Sequence, residues 1–208
     1  MPTTPGQSKG GDSTCADLPG VLREREEIIK VLPANLQTET LDLPSAHDVS
    51  LKLKDCYIAH FACHGSADPL DPASSGLVLQ QIRDGQPERD YLKVYAVSKL
   101  NLVNGHIAYL SACSTAEIKN HQLWDEMLHI VSGFQMAGFP HVVGCLLRSN
   151  DDICVEIARS FYQSLLQQKN GEIVENEPAW ALHSAILTAR SKYRDKPLLW
   201  APFIHVGA

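Results

Sequence analysis

The chain has 208 residues, 44% of them hydrophobic, and its 24 acidic and 18 basic residues give a formal net charge of -6. This mild negative charge is spread along the chain, which argues against a nucleic-acid binder because phosphate contacts need clustered Lys and Arg. No apolar run approaches the ~20 residues that span a bilayer, and the first residues lack the apolar core of a signal peptide, so we expect a cytoplasmic domain without membrane contact.

The first half of the chain predicts a loop followed by helices and short strands. Residues 1–16 are rich in Pro, Gly, Ser and Thr and are expected to be a flexible loop, whereas residues 17–208 are assigned to one domain. Apolar residues at helical spacing predict a helix over 18–32, and Ser45 is expected to cap a short second helix. A buried strand is predicted at 56–63 and a second, shorter strand at 76–81, and residues 91–100 are expected to combine a strand edge with the start of a helix.

The second half alternates apolar strands with amphipathic helices. Its predicted elements are strands at 106–113, 141–147 and 201–207 and helices at 122–138, from Asn150 or Asp151 onward, and at 179–193. Gly171 is expected to close the second of these helices, and Pro178 to open the third. This alternation is typical of a mostly parallel sheet covered on both faces, in which functional residues gather beyond the carboxyl ends of the strands.

Two of the buried strands end in residues suited to nucleophilic catalysis. His64 and Gly65 follow the first strand, and Cys113 ends the strand at 106–113. If the strands are parallel, the imidazole of His64 emerges beside the thiol of Cys113, where it can activate the thiol. The N–H groups of Gly65 and Cys113 are candidate oxyanion donors. Spacing alone leaves open the alternative of an inert core cysteine next to a turn.

Four segments carry a family resemblance: HFACHG, LSACSTA, GFQMAGFPHVVGCLLRSND and the closing WAPFIHVG. In combination they resemble the CHAT domain, a caspase-like family of cysteine peptidases related to separases and often joined to tetratricopeptide repeats. The segment LWDEMLHIVSGFQMAGF is similar to the sequences of the fungal branch of that family. The resemblance runs from about residue 1 to the C-terminus and implies a three-layer α/β/α sandwich with a mostly parallel central sheet.

The resemblance also implies a function. His64 and Cys113 match the catalytic pair of the family, which implies hydrolysis of a peptide bond in a protein substrate, in regulated signalling or cell death. In the fungal branch, the domain stands at the end of long proteins that also carry repeat or nucleotide-binding modules, so such modules are the expected regulatory partners. The alternatives are a catalytically silent caspase-like interaction domain and a different cysteine hydrolase, such as an amidase.

The chain departs from the family pattern at two places. Leu146 is followed by Leu147, where the family usually has a tryptophan that belongs to the core or to a pocket wall. The opening MPTTPG resembles the tail of the family's first strand, so we expect that strand to be truncated. Both departures favour the silent alternative.

Further candidates come with competing structural roles. Asp68 could form an acidic pocket wall or simply a turn, and Asp151 could line the same pocket or cap a helix. Ser111 flanks the nucleophile, while His60 is interpreted as a core residue or a residue behind the site. Most of the six cysteines are expected to be buried thiols. Neither a metal-ligand set nor a nucleotide-binding motif is found in the sequence, so no cofactor is predicted.

Overall fold

The computed structural model describes residues 20–66, 68, 70–111, 113–114, 126–147 and 150–207, and for residues 113, 114 and 126 it describes the backbone only. The helices are α1 (Gly20–Val31), α2 (Ala46–Leu53), α3 (Val94–Val97), α4 (Glu126–Ala137), α5 (Asp151–Leu165) and α6 (Pro178–Lys192). The strands are β1 (Ile58–Phe61), β2 (His64–Ser66), β3 (Gly76–Arg83), β4 (Gln86–Lys93), β5 (Ile107–Leu110), β6 (Cys113–Ser114), β7 (His141–Cys145), β8 (Leu166–Lys169), β9 (Glu172–Glu175) and β10 (Phe203–Gly207). The loop predicted at 1–16, the truncated strand and the start of the helix predicted at 122 lie outside the described residues.

Local signals fix the starts of the helices. Ser45 caps α2 in a capping box, in which its hydroxyl accepts from the Asp48 N–H at 3.1 Å and the Asp48 carboxylate accepts from the Ser45 N–H at 3.1 Å. Asn150 caps α5 by accepting from the Asp152 N–H at 2.9 Å. Pro178 is the first residue of α6, a position whose backbone N–H would make no hydrogen bond within the helix, so a proline fits there without loss. These three predictions are confirmed.

The central sheet has the strand order β1-β5-β7-β10. The first three strands are parallel, and β10 runs antiparallel to β7. Alternate residues of each strand face opposite sides, so Leu110 packs with Phe134 of α4 on one face, and Tyr109 packs with Phe161 of α5 on the other. Helices thus cover both faces, and the predicted α/β/α sandwich with a mostly parallel sheet is confirmed.

A second sheet, of order β4-β3-β2-β6, continues from the ends of the central strands. Its main part is the β3–β4 hairpin, whose turn residues Asp84 and Gly85 have φ values of +50° and +74°. Positive φ at both positions is the geometry that an Asp-Gly pair favours in a tight hairpin. The sequence analysis predicted residues 76–81 as a strand, and the strand edge and helix start predicted within 91–100 are confirmed as the end of β4 and the helix α3. The hairpin that joins the two strands was missed, because most of β4 is exposed and lacks an apolar alternation.

One predicted boundary is wrong. Gly171 does not close the fifth helix, which ends at Leu165, six residues earlier. Gly171 instead forms, with Asn170, the tight turn of the β8–β9 hairpin, with φ values of +85° and +53°. The Asn-Gly pair is a hairpin signal as well as a helix-end signal, and here pairing of the flanking segments decides between them. Within the described ranges, no helix is both long and apolar enough to cross a membrane.

Candidate active site

His64 and Cys113 are backbone register partners. They pair across β2 and β6, which run parallel, and Gly65 pairs with Ser114 one position later. Neighbouring strands lie about 4.8 Å apart, and parallel register partners project from the same face of the sheet. The fold therefore brings together the two residues that the sequence analysis selected. Their catalytic role stays a prediction, since the Cys113 side chain lies outside the described part.

His64 lies deep in the protein. β2 lies between two strands, because it pairs antiparallel with β3, with His64 opposite Val78, and parallel with β6. His64 is only 1% exposed. Gly65 has strand neighbours on both sides too, Leu77 and Ser114, a location where backbone N–H groups usually bond to an adjacent strand. The predicted oxyanion role of Gly65 stays untested, and so does that of Cys113, whose strand β6 has β2 as its one neighbour among the described residues.

Asp68 organises the loop that follows β2. Its carboxylate Oδ1 accepts from the N–H groups of Leu70 and Asp71 at 3.0 and 3.1 Å, and its own N–H donates to the buried Ser75 hydroxyl at 2.9 Å. This pattern is that of an Asx turn. The turn-forming interpretation of Asp68 is therefore favoured, and one of its carboxylate oxygens is already engaged.

Ser111 and Asp151, the other two pocket candidates, lie in different settings. Ser111 directly follows β5 and is 9% exposed. Asp151 is the first residue of α5 and packs against the start of α1, where a Cβ added to Gly20 would lie 2.7 Å from the Asp151 Cβ. Its neighbour Asp152 pairs with Arg23 of α1. Asp151 therefore helps to dock α5 on α1, and its pocket role stays a prediction.

Four cysteines of the described residues are thiols rather than disulfides: Cys56, Cys63, Cys145 and Cys154. All but Cys56 are buried. Burial raises the pKa of the Cys56 thiol to about 11 and that of Cys63 to about 12. These two thiols stay protonated and weakly nucleophilic at neutral pH. The prediction that most cysteines are buried thiols is confirmed at Cys63, Cys145 and Cys154, whereas Cys56 is only partly buried.

The sequence analysis predicted His60 as a core residue or a residue behind the site, but missed the buried polar group to which His60 belongs. This group is called here the Glu24 cluster and consists of Glu24, His60, Tyr109 and Tyr162. Glu24 Oε1 lies 3.2 Å from His60 Nε2, and His60 Nδ1 lies 3.2 Å from the Tyr162 hydroxyl. The His60 ring stacks on Tyr109 at 4.8 Å. The signal was present, since Glu24 lies in the same helical stripe as Val21 and Ile28.

The opposite, amino end of the central sheet holds a histidine group that the sequence analysis also missed. His141 Nδ1 lies 3.1 Å from His205 Nε2, and His106 meets the edge of the His141 ring. His106 Nε2 in turn lies 3.3 Å from Glu175, which also accepts from the Tyr57 hydroxyl. In the described part of the chain, no group of three or more His, Cys, Asp or Glu side chains is arranged to hold a metal ion.

The fold and the register pair together define a three-layer α/β/α domain with a histidine and a cysteine on neighbouring parallel strand ends. The family model of the CHAT domain matches residues 1–208, and the chain therefore belongs to the CHAT domain family, which is related to caspase-like cysteine peptidases. No curated protein matches the chain significantly.

Proposed function

We propose that this domain is a cysteine endopeptidase that uses His64 and Cys113 as a catalytic dyad. The observation that carries the proposal is the parallel register pairing of these two residues. Family membership supports it, because the CHAT domain is related to caspase-like cysteine peptidases. The other described cysteines argue for Cys113 by contrast, since burial holds the thiols of Cys56 and Cys63 in their protonated form.

The proposed reaction is hydrolysis of a peptide bond in two steps. The Cys113 sulfur attacks the scissile carbonyl, and His64 accepts the thiol proton and donates it to the leaving amine as the C–N bond breaks. This leaves a thioester between Cys113 and the acyl part of the substrate. His64 then takes a proton from water, the resulting hydroxide attacks the thioester, and the thiol is regenerated as the carboxylic acid leaves.

The oxyanion formed in each step needs hydrogen-bond donors fixed in advance. The Cys113 N–H is the first candidate, because β6 pairs with β2 on one side only among the described residues. The Gly65 N–H is the second candidate, although β2 has neighbours on both sides. Asp68, Ser111 and Asp151 are proposed as residues bordering the substrate. The expected partners are a protein substrate and regulatory repeat or nucleotide-binding modules, in the cytoplasm.

Cleavage of a protein substrate tests this function. Purified wild-type chain and Cys113→Ala are each incubated with a proteome-derived peptide library, and new N-termini are identified by mass spectrometry. Cleavage by the wild type that disappears in Cys113→Ala is the expected result. Cys56→Ala, a change at a half-buried thiol, serves as the matched control and should leave cleavage intact. Cleavage that survives in Cys113→Ala would contradict the dyad.

A catalytically silent interaction domain is the second candidate, and the burial of His64 favours it. A general base must reach its substrate, and a side chain that is 1% exposed needs a local opening to do so. Leu147, in place of the tryptophan of the family pattern, points in the same direction. The two functions differ in the peptide-library experiment: a folded wild-type chain with no new N-termini would favour the silent domain.

A further inference from the structure

The Glu24 cluster is poorly explained as a source of stability. Glu24 is 3% exposed and Tyr109 is 1% exposed, inside an otherwise apolar part of the core. Glu24 Oε1, His60 Nε2 and the Tyr109 hydroxyl have no aligned hydrogen-bond partner among the described residues. Such atoms oppose folding, and well-packed apolar residues in place of a buried ion pair are often neutral or stabilising. These side chains therefore call for a different explanation.

The cluster precedes the proposed dyad on the same two chain segments, because β1 leads into β2 and β5 leads into β6. His60 of β1 is the register partner of Tyr109 of β5, and four residues later on each segment His64 is the partner of Cys113. Phe61 and Cys63 both pack in the core on the α4 side, so the alternation of faces continues beyond β1. His60 lies on the opposite face, where it contacts Glu24 of α1 and Tyr162 of α5.

Among the described residues, the ladder of β1 and β5 ends at the pair of Phe61 with Leu110, and the next register pair along these segments is His64 with Cys113. Ala62 and Cys63 lie between the two pairs on the first segment and belong to neither strand. The separation of His64 from Cys113 then depends on the β2–β6 pairing itself and on how firmly β1 and β5 are held next to it.

The Glu24 cluster supplies such a hold. His60 of β1 stacks on Tyr109 of β5, which ties the two strands through their side chains. The Tyr162 hydroxyl of α5 bonds to His60 Nδ1, and Glu24 Oε1 of α1 lies 3.2 Å from His60 Nε2, so contacts on both sides restrict the position of the ring. The two helices in turn contact each other through Gly20 and Asp151 at their starts.

We propose that Glu24 and Tyr162 are positioning residues, which act through His60 to hold the two strand ends at the separation that His64 and Cys113 need in order to react. This inference rests on the proposed dyad, and it adds that residues of α1 and α5 hold the dyad in place. A misplacement of about 1 Å in a reacting pair can cost as much as about 100-fold in rate, so a modest loosening of this hold should be measurable.

Alkylation of Cys113 tests the proposal without requiring a known substrate. The full chain, in a Cys15→Ser background, reacts with iodoacetamide between about pH 4 and pH 9, a range that covers the titration of an imidazole and of a thiol whose pKa is lowered by one. Mass spectrometry of the Cys113 peptide gives the rate. Glu24→Gln should lower the rate at neutral pH about tenfold. Glu27→Gln, the matched change at a more exposed carboxylate of α1, should stay within about twofold.

A second background separates positioning from a purely structural role. In the His64→Ala background, Glu24→Gln should not lower the Cys113 alkylation rate further, because Glu24 affects Cys113 only through His64. An equal loss in both backgrounds, or no loss in either, would overturn the proposal. Tyr162→Phe, which removes only the hydroxyl on His60 Nδ1, should act like Glu24→Gln and provides the same test if that variant does not fold. If His64→Ala alone leaves the Cys113 rate unchanged, the dyad itself is wrong, which is a distinguishable result.

Discussion

His141 and His205 are diagonal neighbours on the antiparallel pair of β7 and β10, and His141 Nδ1 lies 3.1 Å from His205 Nε2. One ring can donate to the other only while at least one of them is neutral. Desolvation lowers the pKa of both rings, and each is lowered further by a neighbouring imidazole, His106 beside His141 and His141 beside His205. The pair therefore favours the neutral forms.

This relationship predicts acid sensitivity of the fold. Below the ordinary histidine pKa of 6.5, the unfolded chain binds protons that folded His141 and His205 resist, so the free energy of unfolding decreases as the pH falls. The decrease ends once the pH is below the folded-state pKa values. Glu175 and Glu177 oppose the effect by favouring the protonated ring of His141. Thermal unfolding measured between about pH 8 and pH 5 follows this decrease.

His205→Gln should reduce the acid loss, because the variant no longer titrates and keeps a polar partner for His141. His183→Gln, at an exposed position of α6, is the matched control and should retain the wild-type pH dependence. An identical pH dependence in all three proteins would show that the histidine pair does not control acid stability.

Loss of the α2 cap should destabilise the domain moderately. Ser45→Ala removes the hydroxyl that accepts from the Asp48 N–H, and removal of such a cap costs about 1 kcal/mol. Urea unfolding measures the change. Ser191→Ala, near the end of α6, removes a hydroxyl that bonds to a helix carbonyl and should change the free energy of unfolding by less than about 0.5 kcal/mol. Equal effects of the two changes would contradict the importance of the capping box.

The core on the α5 side of the sheet should be far more sensitive. Phe161 is 0% exposed, and its ring packs 5.1 Å from Tyr109 and 5.2 Å from Tyr162. Phe161→Ala should therefore cost about 3–5 kcal/mol in urea unfolding. Leu187→Ala, on the outer side of α6 at 46% exposure, should cost less than about 1 kcal/mol. A small effect of Phe161→Ala would mean that α5 is not packed as described.

The features that the sequence predicted well are those with local causes. The cap at Ser45 and the opening proline at Pro178 satisfy helix ends through residues adjacent in the chain. The buried strands were recognisable because both of their faces are covered, which makes them continuously apolar. These two kinds of signal were enough for the layered architecture and for the strand ends that carry His64 and Cys113.

The features that were missed depend on partners far away in the chain. A charged residue in a helix is normally assigned to solvent, and only the packing of α1 on β1 places Glu24 against His60. The histidine group requires β10 to lie beside β7 in antiparallel orientation, which no local pattern reveals. Gly171 shows the same limit, because its turn could end a helix or close a hairpin until the pairing of β8 with β9 is known.

The rate of Cys113 alkylation in wild type and in His64→Ala tests the proposed dyad most directly. Because His64 is the register partner of Cys113, its imidazole should make Cys113 react with iodoacetamide faster than the buried thiols of Cys63 and Cys145 at neutral pH. We expect His64→Ala to lower the Cys113 rate at least about tenfold and to leave the other thiols unchanged. A Cys113 rate that is the same in both proteins would contradict the dyad.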